Sequence, residues 1–161
     1  MDTKSTADRS KNMAAVRSKD TRPEVFVRST LHHLGFRFRL HRKDLPGKPD
    51  IVLPKHKIII FVDGCFWHSH KGCKKSRLPT SNVEFWRSKI SRNVSRDQEV
   101  NFQLMDNGWR VLRVWECALK NTSAQEAFPT LLKYWIDSSQ PYGEIPEVKD
   151  AQDKEEPGSA R

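Results

Sequence analysis

Pro49-Asp50-Ile51-Val52-Leu53-Pro54-Lys55-His56-Lys57-Ile58-Ile59-Ile60-Phe61-Val62-Asp63 is the stretch that decides the architecture. Two apolar, β-branched runs, Ile51–Leu53 and Ile58–Val62, are separated only by Pro54–Lys57. A connection this short makes the two strands antiparallel neighbours. A three-residue loop would set Asp50 opposite Val62, and a four-residue loop would set it opposite Asp63. Either register brings the Asp50 carboxylate close to Asp63 and the Val62 carbonyl. Hard oxygen donors grouped in this way suit Mg²⁺, which takes one or two carboxylates and leaves the rest to water and phosphate. Such an ion can activate water and stabilise charge growing on a phosphodiester. The alternative makes Asp50 a turn residue after Pro49 and Asp63 a strand terminator.

Upstream of the hairpin, Thr21-Arg22-Pro23-Glu24 is a helix start: Thr21 can cap, Pro23 suits the first turn, and Glu24 completes a capping box. Val27, Leu31 and Leu34 share a face and Gly35 ends the helix. Phe36–Leu40 alternates apolar and basic residues, as a half-buried strand does. Downstream, a long loop runs from Gly64 to Thr80. Ser81-Asn82-Val83-Glu84 then reads as a second capping box opening a helical region through Asn107, with an interruption expected near Asn93. Trp109–Trp115 is a fourth strand, and Thr122–Gln125 opens a last helix carrying Leu131, Leu132, Trp135 and Ile136. The order predicts a mixed α/β single domain over residues 20–136, preceded by a basic arm (1–19) and followed by an acidic, disordered tail (137–161).

Composition narrows the partners. The 161 residues carry a formal charge of +9, and residues 137–161 alone hold −4. A body this basic suits a polyanion, nucleic acid before membrane, because no basic amphipathic anchor is evident. Mean hydropathy is −0.75 and the longest apolar run is strand-sized, which excludes a membrane-spanning helix. The first twenty residues contain no apolar signal-like segment, and three cysteines cannot form a closed disulfide framework, so a reducing cytoplasm is expected.

Those cysteines form the second constellation. Cys65-Phe66-Trp67-His68-Ser69-His70-Lys71-Gly72-Cys73, with Cys117 far downstream, can close a tetrahedral Zn²⁺ site from Cys65, His70, Cys73 and Cys117. Three free thiols, Cys117 simply buried, are the alternative. His68 then stays outside the zinc site, and an imidazole beside an activated water can serve as general base. Lys74, Lys75 and Arg77, with Arg87, Lys89 and Arg92, flank the aromatic loop and are expected on phosphates; a solvated basic face is the other reading.

Leu45-Pro46-Gly47-Lys48-Pro49-Asp50, Phe61-Val62-Asp63-Gly64-Cys65-Phe66-Trp67-His68, Asn93 with Arg96-Asp97, Gly108-Trp109-Arg110-Val111 and Trp115-Glu116-Cys117 together resemble the very-short-patch repair (Vsr) endonucleases, in the same order from about Arg9 to about Ile136. The resemblance implies a restriction-endonuclease-like, PD-(D/E)XK-type fold with a central mixed sheet flanked by helices and a structural zinc loop. It implies a monomeric enzyme that nicks duplex DNA 5′ to the thymine of a T·G mismatch, the lesion left by deaminated 5-methylcytosine, with catalytic Mg²⁺. Carried over by position, Asp50 and the Val62 carbonyl would bind Mg²⁺, His68 would be the base, and Asp97, with Asn93 near it, would support that histidine. Phe66, Trp67 and Trp86 would wedge between bases beside the mismatch. The family's Thr-His is replaced here by Val62-Asp63, so Asp63 stands as a possible second metal carboxylate. A one-residue insertion in the histidine cluster bears on His70. Two rivals are a PD-(D/E)XK nuclease without mismatch specificity and a non-catalytic, zinc-stabilised DNA-binding module.

Overall fold

A computed structural model describes residues 19–147. Its elements are α1 (Arg22–His33), β1 (Arg39–Leu40), β2 (Ile51–Leu53), β3 (Ile58–Asp63), α2 (Val83–Asp106), β4 (Arg110–Trp115), α3 (Thr122–Asp137) and β5 (Tyr142–Ile145), with short 3-10 turns between some of them. The strands form one mixed sheet in the order β1-β2-β3-β4-β5. The first two pairings are antiparallel and the last two parallel. This is the expected α/β architecture.

Alternation along the strands sorts the core into two layers. Ile51, Leu53, Ile58, Ile60, Leu112 and Val114 pack with Val27 and Leu31 of α1 and with Phe128, Leu132, Trp135 and Ile136 of α3. Val52, Ile59, Phe61 and Val111 face Val100 and Leu104 of α2. The next positions on the α2 face, Asp63 on β3 and Arg113 on β4, are charged and buried, and the site grows from them. Leu131, unlike Leu132, Trp135 and Ile136 on the same helix, is exposed.

Local chemistry explains most element ends. The Thr21 hydroxyl accepts from the Glu24 N–H at 3.4 Å, as a capping residue should. Gly35, at φ +85°, lets α1 close with the paired bonds Gly35 N–H to His32 O and Phe36 N–H to Leu31 O. Gly108, at φ +86°, closes α2 in the same way.

Several boundaries differ from the sequence reading. Leu53 pairs with Ile58, so the turn takes in Pro54 and begins one residue earlier than either expected loop, and the ladder, continued outward, sets Asp50 opposite Phe61 rather than Val62 or Asp63. The Phe36–Leu40 strand shrinks to Arg39–Leu40, because Phe36 closes the end of α1 and packs with Phe38 against the core. The helix expected to open at Ser81 begins at Val83 behind Asn82, which adopts a left-handed conformation and makes no side-chain cap bond. That helix then runs unbroken past Asn93. Its counterpart α3 is capped one residue early, by Asn121, whose Oδ1 accepts from the Ala124 N–H at 2.9 Å.

Residues 1–18, most of the basic arm, and 148–161 lie outside the described residues. Within the described ones, the fold does not stop at Ile136: Tyr142–Ile145 adds a parallel strand beside β4, with Ile145 buried in the α1/α3 layer. The Pro-rich, acidic composition hid a four-residue edge strand whose only strongly apolar residue is Ile145. Replacing Ile145 by Ala should therefore cost about 2–4 kcal/mol in urea unfolding, the range for a buried isoleucine, whereas a residue in a free tail would cost nothing.

Candidate active site and zinc cluster

The antiparallel hairpin and the ends of β3 and β4 open into a cleft of about 670 Å³, lined among others by Glu24, Asp50, Asp63, Trp67, His68 and Asp97. Asp50 stands at the start of β2, where Pro49 is buried behind it. The Val62 N–H donates to Asp50 Oδ2 at 2.8 Å, so the carboxylate meets the end of the neighbouring strand despite the shifted register. Burial pushes the Asp50 carboxyl up to about 7; the Val62 N–H pulls the other way, and the charges of Glu24 and Asp63 add to the rise. Among the described residues no lysine or arginine forms an ion pair with it. A carboxyl without a basic partner, beside the end of β3 where the Val62 carbonyl lies, leaves hard oxygen donors that suit a divalent cation.

Glu24, placed near the active site by the family resemblance and otherwise explained by its capping box, lines the cleft. It is buried on the cleft wall, 3% exposed, and its Oε2 accepts from the Asp20 N–H at 3.0 Å. His41, read as a surface residue, sits with its Nε2 3.8 Å from that oxygen and 3.3 Å from Asp20 Oδ1. Burial raises the Glu24 carboxyl. Asp20, Glu24 and His41 lie close enough to suggest a metal, but Arg28 already pairs with Asp20 at 2.9 Å, so ordinary ion pairing accounts for the cluster.

Across the cleft, His68 Nδ1 lies 2.6 Å from Asp97 Oδ2. Asp97 accepts a proton rather than donating one, which makes Nδ1 the protonated nitrogen and leaves Nε2 to accept. Nε2 is 3.8 Å from Asp63 Oδ1, beyond hydrogen-bond reach. Burial disfavours a charged ring here, but the Asp97 hydrogen bond and the nearby Asp63 and Asp97 charges outweigh it, so the pKa ends above the ordinary histidine value. Asn93, grouped with Asp97 by sequence, donates instead to the Trp67 carbonyl at 3.0 Å and so braces the loop.

Asp63 is not placed as a metal ligand. Its side chain is 4% exposed and its Oδ2 accepts from Arg113 Nη1 at 2.7 Å, which commits it to an internal ion pair. Arg113, missed in the sequence reading, also donates to Asn101 Oδ1 from Nε at 3.0 Å and from Nη2 at 2.8 Å. The one available signal was a cation in the middle of the apolar strand Val111-Leu112-Arg113-Val114-Trp115, where parallel strands are buried on both faces.

Cys65, His70, Cys73 and Cys117 converge, with their ligand atoms all within 4.8 Å of one another. His70 Nδ1 lies 3.6 Å from Cys65 Sγ and 3.4 Å from Cys117 Sγ. Tetrahedral zinc with Zn–S of about 2.3 Å and Zn–N of about 2.0 Å sets S···N separations of roughly 3.5 Å, so the cluster has the spacing of that site. The chemistry agrees: burial pushes the Cys65 thiol up to about 12, raises Cys117 and lowers His70. Thiols this reluctant to ionise become thiolates when a metal takes the proton's place. The His70 ring is fixed by stacking flat on Trp115, at 4.2 Å between centroids and 9° between planes.

Phe66 and Trp67, on the same loop, meet Trp86 of α2 with ring centroids 5.1, 5.5 and 6.0 Å apart. All three are half-buried. Phe85, next to Trp86 on α2, is 54% exposed and adds a fourth ring. Lys89 Nζ stands 5.6 Å over the Trp67 ring. Lys74, Lys75 and Arg77 are exposed around the short turn after Cys73, with Lys75 Nζ 3.9 Å from Glu116. Trp115 and Trp109 are packed into the core as expected, fully and partly.

If the cysteine cluster holds zinc, purified protein should carry close to one Zn²⁺ per chain. Replacing Cys73 by Ala, or stripping the metal with a chelator, should lower the melting temperature by on the order of 10 °C or more, equivalent to several kcal/mol. Metal analysis and a thermal melt check both; a metal-free chain that melts normally refutes the site.

Comparisons with known proteins agree with this geometry. A family model described as "DNA mismatch endonuclease Vsr" matches residues 1–75. The chain is 55% identical over 115 residues to the type II nicking enzyme V.XorIIP of Xanthomonas oryzae pv. oryzae, covering 71% of this chain and 84% of that one. It is 47% identical over 116 residues to the type II nicking enzyme V.NmeAIP of Neisseria meningitidis serogroup A, covering 72% and 82%. It is 43% identical over 132 residues to the DNA mismatch endonuclease Vsr of Escherichia coli K12, covering 81% and 84%. Among the described residues no helix is long and apolar enough to cross a membrane. A cleft of carboxylates with a histidine–aspartate pair, a thiol cluster and relatives at these identities give one conclusion: the chain belongs to the DNA mismatch endonuclease Vsr family and is a DNA endonuclease.

Proposed function

We propose that this endonuclease nicks one strand of duplex DNA 5′ to the thymine of a T·G mismatch, with Mg²⁺ in the cleft and Zn²⁺ in the loop. The observation that carries the reading is the His68–Asp97 pair facing Asp50 across one cleft, with the aromatic cluster beginning at the cleft wall in Trp67. Bound by Asp50 and the Val62 carbonyl, Mg²⁺ would help to activate water and offset the charge growing on the phosphate.

The chain's own groups supply the rest. Asp97 holds the His68 tautomer, leaving Nε2 free to take a proton from water as the water oxygen attacks phosphorus. The P–O bond to the leaving oxygen breaks with its electron pair on that oxygen, which solvent then protonates. The raised His68 pKa makes the ring a stronger base than a free imidazole, at the expense of the fraction unprotonated at neutral pH. Lys74, Lys75 and Arg77 hold the backbone by charge and carry no sequence information.

Mismatch selection falls to the rings. A T·G wobble remains stacked, so phosphate contacts alone would scarcely register it. Mismatched steps are cheaper to unstack, and apolar wedges turn that difference into selectivity. Phe66, Trp67 and Trp86 already touch one another, so little ordering entropy opposes their insertion. The E. coli relative's name specifies a mismatch, and the names of the other two specify nicking. A reducing cytoplasm accords with three thiols and no disulfide.

The decisive assay compares nicking of T·G, U·G and fully matched duplexes with and without Mg²⁺. Nicking confined to mismatched duplexes in the presence of Mg²⁺ is expected; equal cleavage of matched DNA would leave a nuclease without mismatch specificity, and no cleavage of any duplex a binding module. Asp50→Asn should abolish nicking while mismatch binding persists, and His68→Ala should slow it by ~10²–10⁴-fold, the scale of a positioned base. Trp67→Ala should weaken T·G binding by ~1–3 kcal/mol, the worth of one stacking contact, and matched DNA by far less. An equal loss on both duplexes would make Trp67 a purely structural residue.

A further inference from the structure

We infer that Arg113 is the positioning residue of the catalytic pair: one buried guanidinium fixes both Asp63 and Asp97 and thereby the His68 ring. This rests on His68 acting as the base.

His68 needs such help because its backbone belongs to neither helix nor strand. It sits in the irregular segment after β3, anchored locally by its N–H to the Gly64 carbonyl at 3.2 Å. Its ring is held by Asp97 on α2 at 2.6 Å and lies 3.8 Å from Asp63 at the end of β3. Two carboxylates flanking one imidazole repel each other and could each draw the ring away from the cleft. Arg113 answers both. Nη1 donates to Asp63 Oδ2 at 2.7 Å and lies 3.8 Å from Asp97 Oδ1, and Nη2 lies 3.4 Å from the Asp97 backbone carbonyl. Asn101 Oδ1 takes the Nε and second Nη2 bonds, and the guanidinium carbon lies 4.3 Å from the centre of the Phe61 ring.

The guanidinium therefore ties β4 to β3 and to one turn of α2, Asp97 to Asn101. Its planar fork does what an ammonium cannot: it bonds several acceptors in fixed directions. There is also little else behind the histidine. A second cavity of about 360 Å³ lies there, and His68, Asp97 and Arg113 line it as well as the main cleft. The three side chains are part of the partition between two open spaces, so the ring's position depends on polar contacts rather than on close packing.

A single Arg113 deletion would leave Asp63 buried without a partner, and misfolding would then be confused with mispositioning. The test removes the pair together, as Asp63→Leu with Arg113→Met, since apolar replacement of a whole buried pair often preserves stability. Thermal melts, duplex affinity and single-turnover nicking are measured beside Arg113→Lys and His68→Ala. The double variant should fold and bind T·G duplex as the parent does, yet nick more slowly by on the order of 10²-fold, the effect of about 1 Å of misplacement. The downfield proton resonance of the His68–Asp97 hydrogen bond should be lost or shifted. Arg113→Lys should fall between parent and double variant in rate with unchanged KM, and it decides the matter if the double variant does not fold. Parental nicking by the double variant, or rate losses that track only the folded fraction, would overturn the inference. Parental nicking by His68→Ala would instead overturn the assignment of the base on which it rests.

Discussion

A guanidinium buried on the α2 face of the sheet, held by Asp63 and Asn101, is the constraint around which the active end is arranged. A charge taken out of water must be met by partners in fixed positions, or it costs several kcal/mol. Meeting it fixes the spacing between the ends of β3 and β4 and the turn of α2 above them. Arg113 and Asp63 are adjacent to the registered parallel ladder, Phe61 opposite Arg113 and Asp63 opposite Trp115, so the ion pair spans the two strands that form the back of the cleft. The apolar packing that builds the core thus gives way, at the last residue of β3 and two residues before the end of β4, to polar contacts that can direct chemistry.

The front of the cleft follows an opposite rule. Asp50, Glu24 and Asp63 all line the cleft; among the described residues Asp63 pairs with Arg113 and Glu24 lies 3.8 Å from His41, while Asp50 has no basic partner. The cost is visible in Asp50, whose carboxyl is driven up to about 7 mainly by burial. The Val62 N–H supplies one hydrogen bond, too little to offset that burial. A site that is uncomfortable when empty and comfortable around a cation binds that cation with the energy otherwise lost to desolvation. The internal pair and the unpaired carboxylate divide the labour: one maintains the frame and the other stays available.

Much of this was legible in the chain because local rules agree with the fold at most positions. The turn at Pro54–Lys57, the glycines at 35 and 108, and the unbroken apolar run Ile58–Phe61 specify the hairpin and its flanking helices. The grouping of Cys65, His70, Cys73 and Cys117 was legible because thiols and imidazole have few other reasons to sit in a polar loop. What escaped were features decided across elements. Arg113 reads as one more basic residue until β3 and α2 are set beside it. Glu24 reads as a cap, and its burial depends on where α1 docks. Tyr142–Ile145 carries too weak a pattern to be seen as a strand without its partner β4. Phe85 and Trp86 are adjacent on a helix, and only the position of the Phe66–Trp67 loop decides which ring it meets.

That loop joins the two halves of the active end. Cys117 follows β4 directly and His70 stacks on Trp115 at the end of the same strand, so the thiol cluster pins the loop to the sheet just beyond Arg113. Three residues before Cys65–His70 closes, the loop is braced again, by the Trp67 carbonyl to Asn93 and by His68 to Asp97, both on α2. Strand and helix therefore hold it from opposite sides, and the four residues between Cys65 and His70 have little freedom left. Phe66 and Trp67 face the aromatic cluster while His68 turns to the cleft. In the proposed function, a ring pushed between bases and an imidazole aimed at a phosphate would therefore be separated by a single peptide unit. Finding a lesion and cutting beside it would then be coupled by covalent geometry, with no longer-range conformational signal required.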